Sequence, residues 1–401
     1  MNLKKGLFYS LLLLLMLALT ACGDSDEASS DGSGDSKDDG EVIEVPIGYT
    51  GPLSGPAAYY GENTTSGLKM AIDEINEAGG FEVDGKQYKF KYIQLDDQYL
   101  PNEAANNAKR LVQEENAKII FNPHSGGIYA MQVFNEQDGF LIGAYTSEPG
   151  IIEDGNSLTW RIPPGYDGYI EPFTEYQMER FGKKIAFLPT ATQYGKDWAA
   201  LLKPVWEEHG GEIVFETEID FNKDTDVQPI VTNALKHDPD VLFIGGPSEP
   251  TALVVKAARE LGFEGGFIIM DQAKLDEMAA VLGDNMELLE GSAGTLPLIY
   301  SDFPGTPAFV EKYNELYDKN PGSEAGFHYF AVYALVEAMK IAGSVDDIEA
   351  IRAALDEAVR SVPEDKQVYV IDGVDESGAN VFQVRMAVVE DGEVVEITAD
   401  E

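Results

Sequence analysis

Short apolar runs alternate with longer segments in which apolar residues recur every three or four positions. Residues 42–48 are apolar and mostly β-branched, which is typical of a buried strand. A Gly/Pro/Ser loop at 49–55 breaks this strand, and Asn63 or Thr64 is expected to cap the helix that follows. The apolar residues of this helix share one face, at i, i+3, i+4 and i+7: Leu68, Ala71, Ile72 and Ile75.

The alternation continues to residue 161 and then restarts. Because strands and helices alternate, the sequence predicts an α/β fold with parallel sheets and right-handed crossovers. The predicted strands are 88–95, 118–121, 140–142, 184–188, 212–219, 241–244 and 267–270. The predicted helices between and after them include 169–181, 227–236, 251–261, 307–319, 327–342 and 345–359. The tail changes period and predicts short strands at 367–371, 381–389 and 393–397.

The amino terminus has the pattern of a signal peptide at residues 1–21. Lys4 and Lys5 precede an apolar run that is short for a membrane span, which makes a transmembrane anchor the weaker alternative. Residues 19–22 read Leu-Thr-Ala-Cys and resemble a bacterial lipobox, whose cysteine is lipidated after cleavage. Cys22 is the only cysteine of the chain, so it has no partner for an internal disulfide.

Composition sets limits on the partners. After the cysteine, residues 22–41 are mostly Gly, Ser and acidic residues, which predicts a flexible acidic tether. The formal net charge of −43 disfavours binding to nucleic acid and to anionic membrane surfaces. This charge serves solubility, or it reflects adaptation to high salt or high pH outside the cell, where screening weakens self-repulsion.

The sequence contains no strong enzyme or metal motif. It has no Walker A loop, no G-x-G-x-x-G after the first strand and no H-E-x-x-H, so we expect no cofactor and no metal. Asp220, Asn222, Asp224 and Asp226 alternate like a calcium loop, but Thr225 and Val231 stand where glycine and glutamate are needed. A solvated acidic turn is the simpler interpretation.

Ser125 lies between a strand end and a helix start. The sequence around it, Pro-His-Ser-Gly-Gly, is not a nucleophile elbow. Its hydroxyl and the free N–H groups of a helix start suit a carboxylate ligand. A plain helix cap is an equally open interpretation.

A series of short motifs runs along the chain, at 51–56, 60–61, 71–80, 96–97, 193–195, 245–246 and 257–262. In this order they resemble the motifs of the branched-chain amino-acid-binding proteins of ABC importers. The resemblance covers nearly all of residues 43–392. It implies the type I periplasmic-binding fold, with two Rossmann-like lobes of parallel sheet joined by a three-crossover hinge.

The resemblance also implies lobe boundaries and a ligand site. The first lobe would be 42–161 plus 297–365, and the second 162–296 plus 366–401. Ser125 and Thr146 would hold the α-carboxylate, with Ser147 as an alternative to Thr146. Carbonyls near Ala144 and Thr146 would share the ammonium with Asp271. The remaining expected ligand-binding residues are Ser54, Tyr60, Gly126 and Tyr194.

Some positions depart from the family pattern. Asp271 replaces the usual glutamate, Pro247-Ser248-Glu249 follows the Gly-Gly pair in place of an aromatic, and Tyr99 and His124 occupy the positions of a disulfide seen in some members. The ligand therefore remains open among branched-chain or related amino acids, amides, short carboxylates and aromatic acids. A capping role for Asp271 at the helix after it also remains open.

The expected function is a solute-binding lipoprotein, not an enzyme. It would be anchored by lipid to the outer face of the cell membrane and deliver a small organic solute to a permease and ATPase complex. We expect a monomer without nucleic-acid partners. A ligand-sensing receptor ectodomain is the alternative use of this fold.

Overall fold

The computed structural model describes residues 42–153, 155–381 and 383–397. The predicted signal peptide, Cys22 and the tether lie outside these residues. Among the described residues, no helix combines the length and the apolar character that a membrane span needs.

The first lobe is built on a six-stranded sheet of order β2-β3-β1-β4-β5-β6, parallel except for the β2–β3 hairpin. Its elements up to the first crossover are β1 (Ile43–Gly51), α1 (Ala58–Glu77), β2 (Phe81–Val83), β3 (Lys86–Asp96), α2 (Pro101–Glu115), β4 (Ile119–Asn122), α3 (Ser125–Gln132), α4 (Asn135–Asp138), β5 (Leu141–Ala144), α5 (Gly150–Glu153) and β6 (Thr159–Arg161).

A second sheet, of order β15-β14-β11-β10-β9-β7-β8, forms the second lobe, with β14 antiparallel to both of its neighbours. Its elements before the return crossover are α6 (Asp167–Arg180), β7 (Lys184–Pro189), α7 (Gln193–Glu208), β8 (Glu212–Glu216), α8 (Gln228–Leu235), β9 (Val241–Gly245), α9 (Ser248–Glu260), β10 (Gly266–Ile269), α10 (Leu275–Val281) and β11 (Ser292–Thr295).

The last part of the chain serves both lobes. Helices α11, α12 and α13 contribute buried residues to the same core as β1 and α1, whereas β14 and β15 complete the second sheet. The chain therefore passes between the lobes three times, which confirms the predicted fold class. These last elements are α11 (Thr306–Tyr317), α12 (Ser323–Ala342), α13 (Ile348–Ser361), β12 (Gly373–Val374), β13 (Asn380–Val381), β14 (Met386–Glu390) and β15 (Glu393–Ile397).

The packing places the third crossover between the lobes later in the chain than the sequence predicted. The predicted boundary after residue 365 assigns Val368, Tyr369 and Ile371 to the second lobe, whereas they are buried in the core of the first. The predicted strand at 367–371 is also wrong, because these residues form no regular strand. We propose 42–161 plus 297–381 as the first lobe and 162–296 plus 383–397 as the second.

The predicted cap of α1 is wrong. The helix begins at Ala58, so Asn63 and Thr64 lie inside it and are fully buried. The Thr64 hydroxyl is 2.7 Å from the hydroxyl of Tyr49 on β1. Buried polar groups need such partners. The Thr64 side chain therefore links α1 to β1 and does not cap the helix.

Candidate functional site

The carboxyl ends of β4, β5 and β10 bring side chains of both lobes to one small cavity of about 30 Å³. This is the edge of parallel sheets at which ligands bind in open α/β folds. Seven of the nine predicted ligand-binding residues line this cavity or a wider neighbouring cavity: Tyr60, Ser125, Gly126, Thr146, Ser147, Tyr194 and Asp271.

Ser125 is the first residue of α3, but it does not cap the helix. His124 is the cap residue, and its Nδ1 accepts a hydrogen bond from the Gly127 N–H at 3.0 Å. The Ser125 hydroxyl instead lies 2.8 Å from the Thr146 hydroxyl. The capping interpretation of Ser125 is therefore wrong, and two hydroxyls from neighbouring strand ends form one polar pair.

Residues 144–147 continue that polar edge. Ala144 is fully buried at the end of β5, and its carbonyl accepts the Ile162 N–H at 2.9 Å. The Ser147 hydroxyl is buried and faces the Tyr194 hydroxyl, without a hydrogen bond of good geometry among the described residues. Buried hydroxyls are normally satisfied, so this one is available to a ligand.

Asp271 follows β10 in the second lobe and is held in place by two donors. Its Oδ1 accepts the Tyr194 hydroxyl at 2.5 Å and the Trp198 Nε1–H at 2.9 Å. The α10 helix begins later, after Lys274, and has no side-chain cap, so Asp271 does not cap it. Burial raises the pKa of Tyr194 well above its ordinary value, which keeps its hydroxyl a donor.

Tyr60 approaches the site from the first turns of α1. Its hydroxyl donates to the Pro123 carbonyl at 2.8 Å, and its ring lies 6.3 Å from that of Tyr145. Both side chains are buried. Together with Tyr194 they make the walls of the cavity largely aromatic.

Ser54 lies outside the site. It is exposed, and its hydroxyl donates to Asp96 Oδ2 at 2.5 Å in the loop after β1. Gly126 lines the neighbouring cavity of about 300 Å³, which it shares with Ser125, Tyr99 and Tyr194. The structure therefore brings the other predicted residues together without Ser54.

Tyr99 and Gln272 were not predicted and join the lobes across the cleft. Gln272 Nε2 donates to the Tyr99 hydroxyl at 2.8 Å. Tyr99 has a φ of 63°, and its ring centroid lies 4.7 Å from that of His124. These are the two positions that the family resemblance assigns to a disulfide, so an aromatic contact stands where some members have a covalent one.

Lys274 was also missed. It is 4% exposed and lines both the small cavity and a third cavity of about 430 Å³. Its ammonium donates to the backbone carbonyls of Asp271 and, at 3.2 Å, Gln272. In the sequence this lysine reads as an ordinary polar residue at a helix start, so no pattern marks it.

One group among the described residues has the spacing of metal ligands. Ligand atoms of Glu171, Glu175 and His209 lie within 4.8 Å of one another. His209 already pairs with Glu171 at 2.6 Å, and none of the three lines the cavities between the lobes. The candidate site is therefore built from hydroxyls, aromatic rings, one carboxylate and one ammonium.

Two α/β lobes joined by three crossovers, with polar groups of both lobes facing one cavity, define a bilobal ligand-binding protein. The chain belongs to the periplasmic binding protein family, which it matches over residues 44–392. This match confirms the family resemblance.

The curated relatives are amino-acid-binding proteins by name. The leucine-, isoleucine-, valine-, threonine- and alanine-binding protein of Pseudomonas aeruginosa is 26% identical over 315 residues, which is 77% of this chain and 82% of that protein. The Leu/Ile/Val-binding protein BraC3 of Rhizobium johnstonii is 25% identical over 319 residues, 78% of this chain and 83% of its own length.

Solved structures share the fold. The branched-chain amino acid transporter substrate-binding protein LivJ of Streptococcus pneumoniae, in complex with isoleucine, has a TM-score of 0.72 at 23% identity and covers 89% of this chain and 99% of its own. A solute-binding protein of an ABC transporter from R. palustris, in complex with benzoate, has a TM-score of 0.74 at 21% identity, over 88% and 96%.

Proposed function

We propose that this protein is the extracytoplasmic solute-binding component of an ABC importer and binds a branched-chain or related α-amino acid between its lobes. The observation that carries the ligand class is the placement of Ser125 and Thr146 in one lobe and Asp271 in the other, around one cavity. An α-amino acid is a small solute whose carboxylate and ammonium can contact the polar groups of the two lobes at the same time.

The first lobe offers donors to a carboxylate. The Ser125 and Thr146 hydroxyls are paired, the Ser147 hydroxyl has no hydrogen bond of good geometry among the described residues, and α3 begins at Ser125. Unpaired N–H groups and the dipole at a helix start favour an anion. A ligand carboxylate would replace the hydroxyl–hydroxyl contact by charge-assisted hydrogen bonds, which are about twice as strong as neutral ones.

The second lobe offers an acceptor to an ammonium. Both donors to Asp271 contact Oδ1, so among the described residues Oδ2 has no partner. A carboxylate in a closing cleft is costly unless a cation or donors meet it. A ligand ammonium would meet this requirement and at the same time bring the two lobes together.

The lobes must part for a ligand to enter. Residues of both lobes line the small cavity, among them Ser125 of the first and Asp271 of the second. The Tyr99–Gln272 hydrogen bond also closes the cleft. We therefore infer that binding involves hinge opening at the three crossovers followed by closure around the solute.

A second candidate ligand class is an aromatic acid. The cavity has four tyrosines in its wall, and the ammonium of Lys274 is buried beside it. Two of the three ammonium N–H donors contact backbone carbonyls, so one remains for a ligand carboxylate. The benzoate complex of the R. palustris structure makes this class worth testing.

The test is calorimetry of wild type and Asp271→Asn with leucine and with its deaminated analogue, 4-methylpentanoate. Loss of a charge pair is expected to weaken leucine binding by roughly 2–5 kcal/mol and to affect the analogue much less. Asp346→Asn, at an exposed position, is the matched control. Equal losses for both ligands, or tighter wild-type binding of the analogue or of benzoate, would sink the amino-acid assignment.

Support for the cellular location comes from the family and the amino terminus. Family membership indicates a protein outside the cytoplasm. The signal, lipobox and single cysteine favour lipid attachment at Cys22, and the acidic chain is expected to act as a monomer that contacts no nucleic acid.

A further inference from the structure

Three acidic side chains meet in the interior where α10 of the second lobe faces α1 and α12 of the first. Glu277 is 5% exposed and Glu324 is 0% exposed. Asp276 Oδ1 is buried as well. Burial raises the pKa of all three carboxyls, and the charge of Lys274, the buried cation of this group, offsets only part of that rise. Three carboxylates beside one ammonium leave an excess of buried negative charge, which is costly.

Glu277 is the carboxylate whose partners suit an ionised group. Its Oε1 accepts the Asn63 Nδ2–H at 2.8 Å across the lobes, and its Oε2 accepts the Ser248 hydroxyl at 2.5 Å. Lys319 Nζ contacts Asn63 Oδ1 at 3.1 Å, which orients the amide so that its NH₂ group faces Glu277. Glu277 therefore receives one donor from each lobe.

Glu324 has the opposite environment. Its carboxyl group faces the side chains of Asn63 and Glu277, but neither of its oxygens has a hydrogen bond of good geometry among the residues that the structure describes. A methyl group at Gly322 would lie 2.0 Å from Glu277 Oε1 and 2.9 Å from Glu324 Oε2, so the two carboxyls crowd the same point. Since the Asn63 amide donates to Glu277, an ionised Glu324 would be a poorly solvated charge beside a second negative charge.

We propose that Glu324 carries a proton in the closed structure, and that this proton is taken up when the lobes close and released when they open. Closure brings Glu324 of the first lobe against Glu277 of the second and removes both from water. Opening returns them to solvent, where a glutamate ionises near pH 4.3. The proposal uses the lobe closure of the proposed function, but its first test needs no ligand.

Asp276 of the same cluster also titrates in the relevant range, whereas the surrounding tyrosines and His328 do not. Burial raises the pKa of the tyrosines that face the cluster above the ordinary value, so they stay neutral: Tyr59, Tyr60, Tyr145, Tyr300, Tyr313 and Tyr369. Burial also lowers the pKa of His328, one turn along α12, to about 4. Burial raises the pKa of Glu277 and Glu324, and that of Asp276 to about 7.

The sign of the pH effect follows from the direction of these shifts. A carboxyl whose pKa is higher in the closed than in the open state favours closure at low pH. This contribution is complete below the open-state value near pH 4.3 and is lost as pH rises toward the closed-state value. Ligand affinity should fall by up to tenfold per pH unit over that interval for one linked proton.

The first test measures the interlobe distance without ligand in the full chain. Spin labels at Val133→Cys and Leu253→Cys, both exposed and in different lobes, are read with Cys22→Ala present. The open fraction of the wild type is expected to grow as pH rises above about 4.3, and that of Glu324→Gln to stay constant. Glu277→Gln, which removes the facing charge, should behave like Glu324→Gln and serves if the first variant does not fold.

A pH-independent wild-type distance, or variants that open with the wild type, would overturn the proposal. Glu337→Gln, on the same helix and paired with Lys340 at 2.8 Å, is the matched control and should open like the wild type. Burial also raises the pKa of Glu148, which contacts Tyr166, to about 7. If Glu148→Gln or Asp276→Asn abolishes the pH effect and Glu324→Gln does not, the proton belongs to that other residue and the proposal is wrong.

Calorimetry of leucine binding at pH 5.5 and at pH 7.5, in buffers of different ionisation enthalpy, separates this proposal from the proposed function. Uptake of up to one proton in the wild type and none in Glu324→Gln supports the shared-proton contact. Binding without proton uptake at both pH values overturns the proposal and leaves the proposed function intact. Absence of leucine binding in all buffers counts against the ligand assignment. The distance measurement then still tests whether Glu324 takes up a proton when the lobes close.

Discussion

Replacement of Ser125 by alanine separates ligand recognition from helix capping. The wild-type hydroxyl is 1% exposed and lies 2.8 Å from Thr146 Oγ1, while the helix cap is supplied by His124. Folding therefore loses one buried hydrogen bond, about 0.5–1.5 kcal/mol of unfolding free energy. Ligand binding loses a hydrogen bond to a charged carboxylate, roughly 1.5–3 kcal/mol.

The change in ligand affinity distinguishes a ligand-binding role of Ser125 from a capping role, because the losses of stability expected for the two roles overlap. A loss of roughly 1.5–3 kcal/mol corresponds to about 10- to 150-fold weaker binding in a calorimetric titration with leucine. Ser54→Ala is the matched control, since that hydroxyl is exposed and contacts Asp96 outside the cleft. Unchanged affinity in Ser125→Ala, or an equal loss in Ser54→Ala, would refute the reasoning.

Two further predictions concern the anchor and the core. Cys22→Ala should release the protein from the membrane fraction while the purified variant keeps its affinity; a purified variant with lost affinity would contradict this. Burial raises the pKa of Glu74, but hydrogen bonds from two lysines and two tyrosines outweigh this and lower it to about 2. Glu74→Gln should therefore lose about 2 kcal/mol of unfolding free energy at pH 7. In denaturant titrations this difference should shrink as pH falls from 4.5 toward 2, and a pH-independent difference would speak against the ionised form.

The order of strands and helices could be predicted because the spacing of apolar residues differs between strands and helices. The face of α1 predicted from residues 68–75 is buried in the first core, and β1 has Tyr88 to Asp96 of β3 as parallel partners. Ser125 and Asp271 could be placed at strand ends by the same reasoning. Since carboxyl ends of parallel strands meet at one edge of a sheet, their meeting at the cleft follows from the fold.

Contacts between the lobes could not be predicted, because no local pattern encodes them. Tyr99 and Gln272 lie 173 positions apart, and Asn63 and Glu277 lie 214 apart. Asparagine is a residue type that favours helix caps, yet Asn63 lies inside α1 and its side chain contacts Glu277 of the other lobe. Lys274 likewise reads as part of a polar helix start. Tertiary packing overrides local propensity at these positions.

The central claim is that one solute is held by both lobes at once, and a crystal structure of the protein grown with leucine tests it most directly. The account predicts the leucine carboxylate within hydrogen-bond distance of the Ser125 and Thr146 hydroxyls and the ammonium at Asp271. Leucine seated in the cavity of about 430 Å³ away from Ser125, or bound with its ammonium away from Asp271, would contradict it.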